Sequence, residues 1–508
     1  MSDQNDIYAT PESASTETAP EDRIPFLHKI FYGVGGFCNN LLAAAIGTMA
    51  NPVLNIGLGM SPTLIGWAAG IPRIFDAVTD PLVGYISDNT KSRWGRRRPF
   101  IFVGAILVGV LFALLWVLLP TNASETTLFI YFLVGSLIFY GAYTVFATPW
   151  VALGYELTPD YNERTRLMGV QNTFAQIPFA ISPWFLYIVQ KKEWFGTIAQ
   201  GGAILAIIIG VIVVCLGVLP AIFLRERLTH DIAVECEDDE ADGAQDERGG
   251  RSALMHNLIC FFQGFGTTLR FIPFLKLCAA TFLVFNGFQL IGAFQQYVSI
   301  YYLCGGDTEC GGYWTGWAGT VGIIATFPII ALVTFLATRY GKRKTLIGAV
   351  ALSMVGFALK WVCYNPEIPW LIILPAPLMS FGMGALFTLM PAMVADVVDA
   401  DELNTHERRE GMYGSIFWWV VKLGLSAALI GGGILLDATG FDVALEGAQS
   451  DETLFLMRLA DAFVPVIASG FAIWALLSFN ITEERAREIR DELEARRGSL
   501  GDGSTANA

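Results

Sequence analysis

Apolar residues run along this chain in long blocks, broken by short clusters of charge, glycine or proline. A helix needs about 20 mostly apolar residues to cross a bilayer. Twelve blocks fit: roughly 29–57, 62–88, 99–120, 127–154, 167–190, 200–224, 272–303, 314–338, 345–364, 368–398, 413–436 and 453–478. The pattern predicts an all-α membrane protein with twelve transmembrane helices. Residues 1–24 are polar and acidic and the first block is too long for a signal-peptide core, so no cleavable leader is expected.

Lysine and arginine orient the spans, because loops rich in them stay in the cytoplasm. The loop after span 2 holds Lys91, Arg93, Arg96, Arg97 and Arg98, and that after span 4 holds Arg164 and Arg166. The loop after span 8 holds Arg339, Lys342, Arg343 and Lys344, and that after span 10 holds Arg408 and Arg409. Loops on the other side hold Lys191, Lys192 and Arg458. Both termini are therefore expected in the cytoplasm, with the protein in the plasma membrane, in a bacterium the inner membrane.

Composition narrows the class. Of 508 residues 54% are hydrophobic and 15% charged, against about 25% charge in a soluble domain. Mean hydropathy is +0.51. A soluble enzyme, a disulfide scaffold (8 Cys) and a disordered chain are excluded. Of the net charge of −14, all but one unit sits in three soluble stretches. Residues 1–24 carry six acids and one Arg, 225–251 ten acids and four Arg, and 479–508 seven acids and five Arg. That acidity argues against nucleic-acid binding.

These stretches divide the chain into an acidic tail (1–27), a six-helix half (28–224), a linker with a short interfacial segment (225–270), a second six-helix half (271–480) and a tail (481–508) whose 482–497 reads as a solvated helix. The halves resemble a diverged repeat. Trp94-Gly-Arg-Arg-Arg-Pro recurs as Tyr340-Gly-Lys-Arg-Lys-Thr, and Glu163-Arg164 as Glu407-Arg408. Repeated halves are a transporter plan, with the substrate at midplane between them.

Span 2 carries Arg73, Asp76 and Asp80 at spacings that share one helical face, with Thr79 alongside. Charges at membrane depth are costly and point to function. Two carboxylates a turn apart with a hydroxyl suit a hard cation, Na⁺ or H⁺, or else form a structural network in which Arg73 pairs Asp76. Lys422 in span 11 needs an anionic partner, with Asp76 or Asp80 as candidates, unless it snorkels to the surface. Lys360, near the outer end of span 9, reads as a snorkelling lysine. Cys304 and Cys310 flank a short outer loop where a disulfide is permitted. The four His lie outside the spans, and no zinc, nucleophile-elbow or phosphate-loop motif occurs, so no enzyme and no cofactor are expected.

Three motifs then resemble the glycoside–pentoside–hexuronide:cation symporters of the major facilitator superfamily. They are DAVTDPLVGYISDNTKSRWGRRRPFI in span 2 and its loop, ELTPDYNERTRL at 156–167, and ADVVDADELNTHERREGMYGSIF at 395–417, followed by Lys422. The resemblance spans about residues 25–480. It implies a major facilitator fold, a cation site on Asp76, Asp80, Thr79 and Thr144, and coupling through Lys422 and Arg73. The positions matching the family's sugar-holding carboxylates are Asn40 and Ala147, that of its helix 5 arginine is Asn172, and that of a sugar-stacking tryptophan is Val151, beside Trp150. The sugar half of the site thus departs from the pattern. The expected function is symport of a sugar or glycoside with Na⁺ or H⁺. Substrate would bind on Asn40, Trp150, Asn172, Gln176, Asn286 and Trp418. The alternatives are a lipid or lysolipid carrier of the same fold, or a non-transporting membrane sensor.

Overall fold

The computed structural model describes residues 23–226 and 268–501, except positions 89, 91, 159, 160, 192, 269 and 406–409. The acidic N-terminal residues, most of the linker, the interfacial segment up to 267, and Glu407, Arg408 and Arg409 lie outside the described residues. All described regular structure is helical. The first half holds α1 (Phe26–Ala50), α2 (Pro62–Asp88), α3 (Arg98–Val117), α4 (Glu125–Glu156), α5 (Tyr161–Ile181, resuming at Phe185–Val189) and α6 (Ile198–Gly217, extended by Leu219–Phe223). The second holds α7 (Ile272–Tyr297), α8 (Thr308–Tyr340), α9 (Lys342–Cys363), α10 (Pro375–Thr405), α11 (Glu410–Ala438) and α12 (Asp451–Leu477), with α13 (Glu483–Gly501) behind them.

Ten of these rods are long and apolar enough to cross a membrane by composition alone. Of the other three, α13 is the charged tail helix, while α2 and α5 dilute their apolar runs with the residues of interest, Arg73, Asp76 and Asp80 on one and Asn172 and Gln176 on the other. Polar residues at this depth are tolerated where they face protein or water rather than lipid.

The repeat is visible in the backbone. α1 runs into a π-helical turn at Asn51–Ile56, and α7 does so at Val298–Leu303. Gly95 (φ 102°) and Gly341 (φ 89°) open α3 and α9 in the left-handed region that favours glycine. Next to each stands a glutamate from the end of its own half, Glu226 and Glu483. The Glu226 carboxylate accepts from the backbone N–H of Arg96 (2.8 Å), Arg97 (2.8 Å) and Arg98 (3.1 Å), capping α3. Arg98 returns the favour in charge, donating to the carbonyls of Ala221 and Ile222 at the end of α6, as Arg343 donates to Leu476 and Leu477 at the end of α12.

Each half packs its own apolar core, and a third cluster at one end joins Leu186 to Phe294, Tyr297, Tyr301, Phe441 and Met457. The helix of the C-terminal tail differs from the solvated rod expected. Arg485 N–H is capped by Thr482 Oγ1 at 3.3 Å as the sequence suggests. Yet Ile489 and Leu493 are buried with Ile481 in the second core. Three apolar residues at spacings of eight and four form a narrow stripe, enough to dock an otherwise charged helix.

Candidate cation site between the halves

Among the described residues two helix pairs make the main contacts between the halves. α2 and α11 run antiparallel, with glycine where they touch. A β-carbon on Gly66 would lie 2.6 Å from the Leu429 carbonyl oxygen, and one on Gly433 2.2 Å from that of Pro62. Ser426 Oγ donates to the Gly70 carbonyl at 2.8 Å. At the end of the seam Asp437 accepts from Ser61 Oγ (2.7 Å) and Thr63 N–H (3.0 Å), so a carboxylate of one half caps a helix of the other. The second pair is α5 with α8. Gly312, Gly316 and Gly319 pack on Tyr187, Trp184 and Pro183, and Trp184 Nε1 donates to Thr320 Oγ1 at 2.8 Å. Lys191 pairs with Glu309, and Tyr297 OH donates to Asn55 Oδ1 at 2.8 Å.

Further along the α2–α11 seam lie the charges. Asp76 is fully buried. Thr144 Oγ1, from α4, donates to its Oδ1 at 2.8 Å, and Thr79 Oγ1 lies 3.2 Å from Thr144 Oγ1. Asp76 Oδ2 has no hydrogen bond of good geometry among the described residues but faces Lys422 Nζ at 2.9 Å. The same ammonium hydrogen-bonds Asp80 Oδ2, while Thr148 Oγ1 donates to Asp80 Oδ1 at 3.1 Å. The lysine therefore does not snorkel. It reaches across the seam and binds both carboxylates.

Arg73 lies one turn along α2, buried, but does not reproduce a simple Arg73–Asp76 pair. Its guanidinium lies over the Tyr140 ring, 4.5 Å from the centroid, and its Nε has no partner among the described residues. The cradle thus offers two carboxylates and three hydroxyls, all hard oxygen donors that fit a proton or an alkali cation. Among the described residues no three His, Cys, Asp or Glu converge.

Thr148 is the residue sequence reasoning missed. It stands one turn from Thr144 on α4, and that i,i+4 pair of threonines was the available signal. Asp437 escaped notice because it lies at a helix end, where a charge is unremarkable by position.

The expected substrate residues are more scattered. Asn172 and Gln176 are neighbours on α5, with Gln176 Nε2 donating to Asn172 Oδ1 at 3.3 Å. Trp418 on α11 is 53% exposed and stacks with Phe387 of α10 at 6.4 Å. Asn40 Nδ2 donates to the Ala175 carbonyl at 2.9 Å, tying α1 to α5, and Asn286 Nδ2 donates within its own helix to Phe282 at 3.0 Å. Trp150 is buried inside the first half, stacked on Tyr32 at 5.1 Å with Nε1 donating to the Tyr32 carbonyl at 3.2 Å, and the structure does not bring it to the seam.

Lys360 overturns its sequence reading. It is 2% exposed, and its Nζ lies 3.1 Å from Asp461 of α12, whose carboxylate also accepts from Tyr364 OH at 2.5 Å. A lysine snorkels when no anion is nearer than water; here a third intramembrane aspartate, overlooked in the sequence, lies on the facing helix.

A family model for "MFS/sugar transport protein" matches residues 31–483. The chain belongs to this family. Among relatives of the MFS sugar transport family, an uncharacterised symporter of Synechocystis is 26% identical over 95% of this chain and 99% of its own. An isoprimeverose transporter of Lactiplantibacillus pentosus is 22% identical, covering 97% of both chains. A mouse sodium-dependent lysophosphatidylcholine symporter is also 22% identical, over 96% of this chain and 91% of its own. Among solved structures, a bacterial homologue of the human lysosomal transporter Spinster, inward-facing and unoccupied, superposes with a TM-score of 0.62 at 15% identity, over 91% of this chain and 98% of its own. The fold is that of the major facilitator superfamily, and the chain is a multi-pass membrane symporter, not an enzyme.

Proposed function

We propose that this symporter moves a sugar or glycoside coupled to Na⁺ or H⁺, with the cation held by Asp76 and Asp80 and assisted by Thr79, Thr144 and Thr148. The observation that carries this is the single lysine shared by two carboxylates across the seam. A cation entering the cradle competes with the Lys422 ammonium for the same oxygens. Displacing it loosens the α2–α11 joint, so ion binding biases the rocking of the halves in proportion to its differential affinity for the two states. Substrate would bind between the halves, beside Asn172, Gln176 and the Trp418–Phe387 stack.

The excess of Lys and Arg in the loops supports a reading with the Asp437 end of the seam outside and both termini in the cytoplasm of a plasma membrane, in a bacterium the inner membrane. The bonds and glycine contacts described above run from that outer end down to Lys422, which supports an outward-closed, inward-open state. The division into two halves flanked by acidic soluble stretches, 1–27, 225–270 and 481–508, belongs to the same proposal.

Uptake into proteoliposomes tests it, with a panel of sugars and glycosides, with and without Na⁺ or a pH gradient. Accumulation should need one cation and vanish in Asp76→Asn. Accumulation by Asp76→Asn and Asp80→Asn at the wild-type level would reject the cation site. A lysolipid substrate is the second reading, favoured by the likeness to the mouse lysophosphatidylcholine symporter and by the apolar Trp418–Phe387 face. Lysophosphatidylcholine therefore belongs in the panel.

A further inference from the structure

The two seams that close the outer end are built differently. Along α2–α11 polar side chains meet partners across the joint: Ser426 bonds the Gly70 carbonyl, and Asp437 accepts from Ser61 and Thr63. Along α5–α8 one does not. Gln190, just past the end of α5, is 6% exposed, and neither its Oε1 nor its Nε2 has a hydrogen-bond partner among the described residues.

This side chain crosses from the first half onto the second. Its amide lies against Gly312 of α8, where a β-carbon would stand 2.8 Å from Nε2. The polar groups of the seam are engaged elsewhere. Lys191 pairs with Glu309 and lies over the Tyr187 ring at 4.5 Å. Trp184 Nε1 bonds Thr320, whose own hydroxyl donates to the Ala180 carbonyl at 3.3 Å. On the same stretch of α8 the Thr315 hydroxyl is also buried with no partner among the described residues.

An amide buried without hydrogen bonds disfavours the state that buries it. Parting α5 from α8 would return the Gln190 amide to water, so the penalty falls on the closed outer end alone. The Lys191–Glu309 pair offsets little of it, because the Glu309 side chain is 53% exposed and surface ion pairs are weak.

We propose that Gln190 is a positioning residue of the outer gate: its unpartnered amide works against closure of α5 on α8 and keeps the outward-open state within reach. The proposal rests on the alternating-access reading above, and on the identity of neither cation nor substrate.

Double electron–electron resonance on the full-length protein in detergent tests it, without substrate or Na⁺. Nitroxide labels go on Trp194→Cys and Glu452→Cys in a cysteine-free background, two exposed positions in the loops read as outer, one in each half. The ratio of long (outward-open) to short (outward-closed) distances should fall roughly tenfold in Gln190→Met and Gln190→Leu, whose side chains need no hydrogen bond. Gln190→Glu should raise it, since a carboxylate is costlier still to bury. A side chain that only filled space would respond to size, and Gln190→Met, near glutamine in length, would leave the ratio as it was. Gly66→Leu, a wedge in the other seam, serves as the control and should lengthen the distance. If it does, an unchanged ratio in Gln190→Met, or a shift toward the open state, would overturn the proposal and leave the transport reading standing. If Gly66→Leu and the Gln190 variants all leave the distances alone, the rocking of the halves is rejected and the proposal falls with it.

Discussion

Lys422 Nζ lies 2.9 Å from Asp76 Oδ2 and hydrogen-bonds Asp80 as well, so one ammonium from the second half serves two carboxylates of the first. Removing it leaves the buried Asp76 and the half-buried Asp80 without their cation, which is strongly unfavourable for the buried one. Lys422→Ala should abolish coupled uptake and change the cation dependence of substrate binding. Lys422→Arg should restore it only in part, because a planar guanidinium does not fit where a compact ammonium sits between two oxygens. Binding titrations at varied Na⁺ and pH check this, and unchanged cation dependence in Lys422→Ala would contradict the competition.

The Lys360–Asp461 pair should behave as a structural tie. Asp461→Ala strands a buried lysine and should cost about 3–5 kcal/mol. Replacing both charges, Lys360→Met with Asp461→Leu, should cost much less, since no uncompensated charge remains. Thermal unfolding of the detergent-solubilised protein separates the cases: the single variant should melt well below the double.

Closure at the Asp437 end depends on glycines that admit backbone contact. A side chain on Gly66 or Gly316 would collide with the Leu429 carbonyl or the Trp184 ring, at 2.6 and 2.8 Å from the β-carbon. Gly66→Leu and Gly316→Leu should therefore wedge that end apart. Asp437→Ala should loosen it by about 1 kcal/mol through the lost cap. On a cysteine-free background, Lys191→Cys with Glu309→Cys should cross-link readily in the parent and poorly with either wedge.

Cys304 and Cys310 form a disulfide across the loop between α7 and α8, where Gly305 and Gly306 take positive φ. Alkylation followed by mass spectrometry should label both only after reduction. Cys215, exposed on α6, should label without it.

How much of this was legible in the sequence differs from residue to residue. Asp76, Asp80 and Lys422 could be singled out because a charge inside an apolar run has few explanations, and the pairing of the halves left few partners. Thr148 was harder to see, since a threonine in a membrane helix can satisfy itself on its own backbone. Lys360 was misread because its distance from the helix end suggests snorkelling, and only the packing of α9 on α12 brings Asp461 to it. Trp150 was chosen for its type and neighbourhood, but the rotation of α4 turns it toward Tyr32 and the interior of the first half.

The sequence by itself determined the rods, their number and the repeat, because spanning a bilayer imposes length and apolarity on each segment separately, and glycine and charge punctuate the loops. It also determined which ionisable groups stand at depth. The tertiary structure alone decided which of them meet. Rotation of each helix about its axis, and the depth at which α11 slides against α2, follow from side chains far apart in the chain interlocking at glycine contacts. Those two geometric choices put Lys422 between Asp76 and Asp80, sent Arg73 to Tyr140, and closed the seam at Asp437.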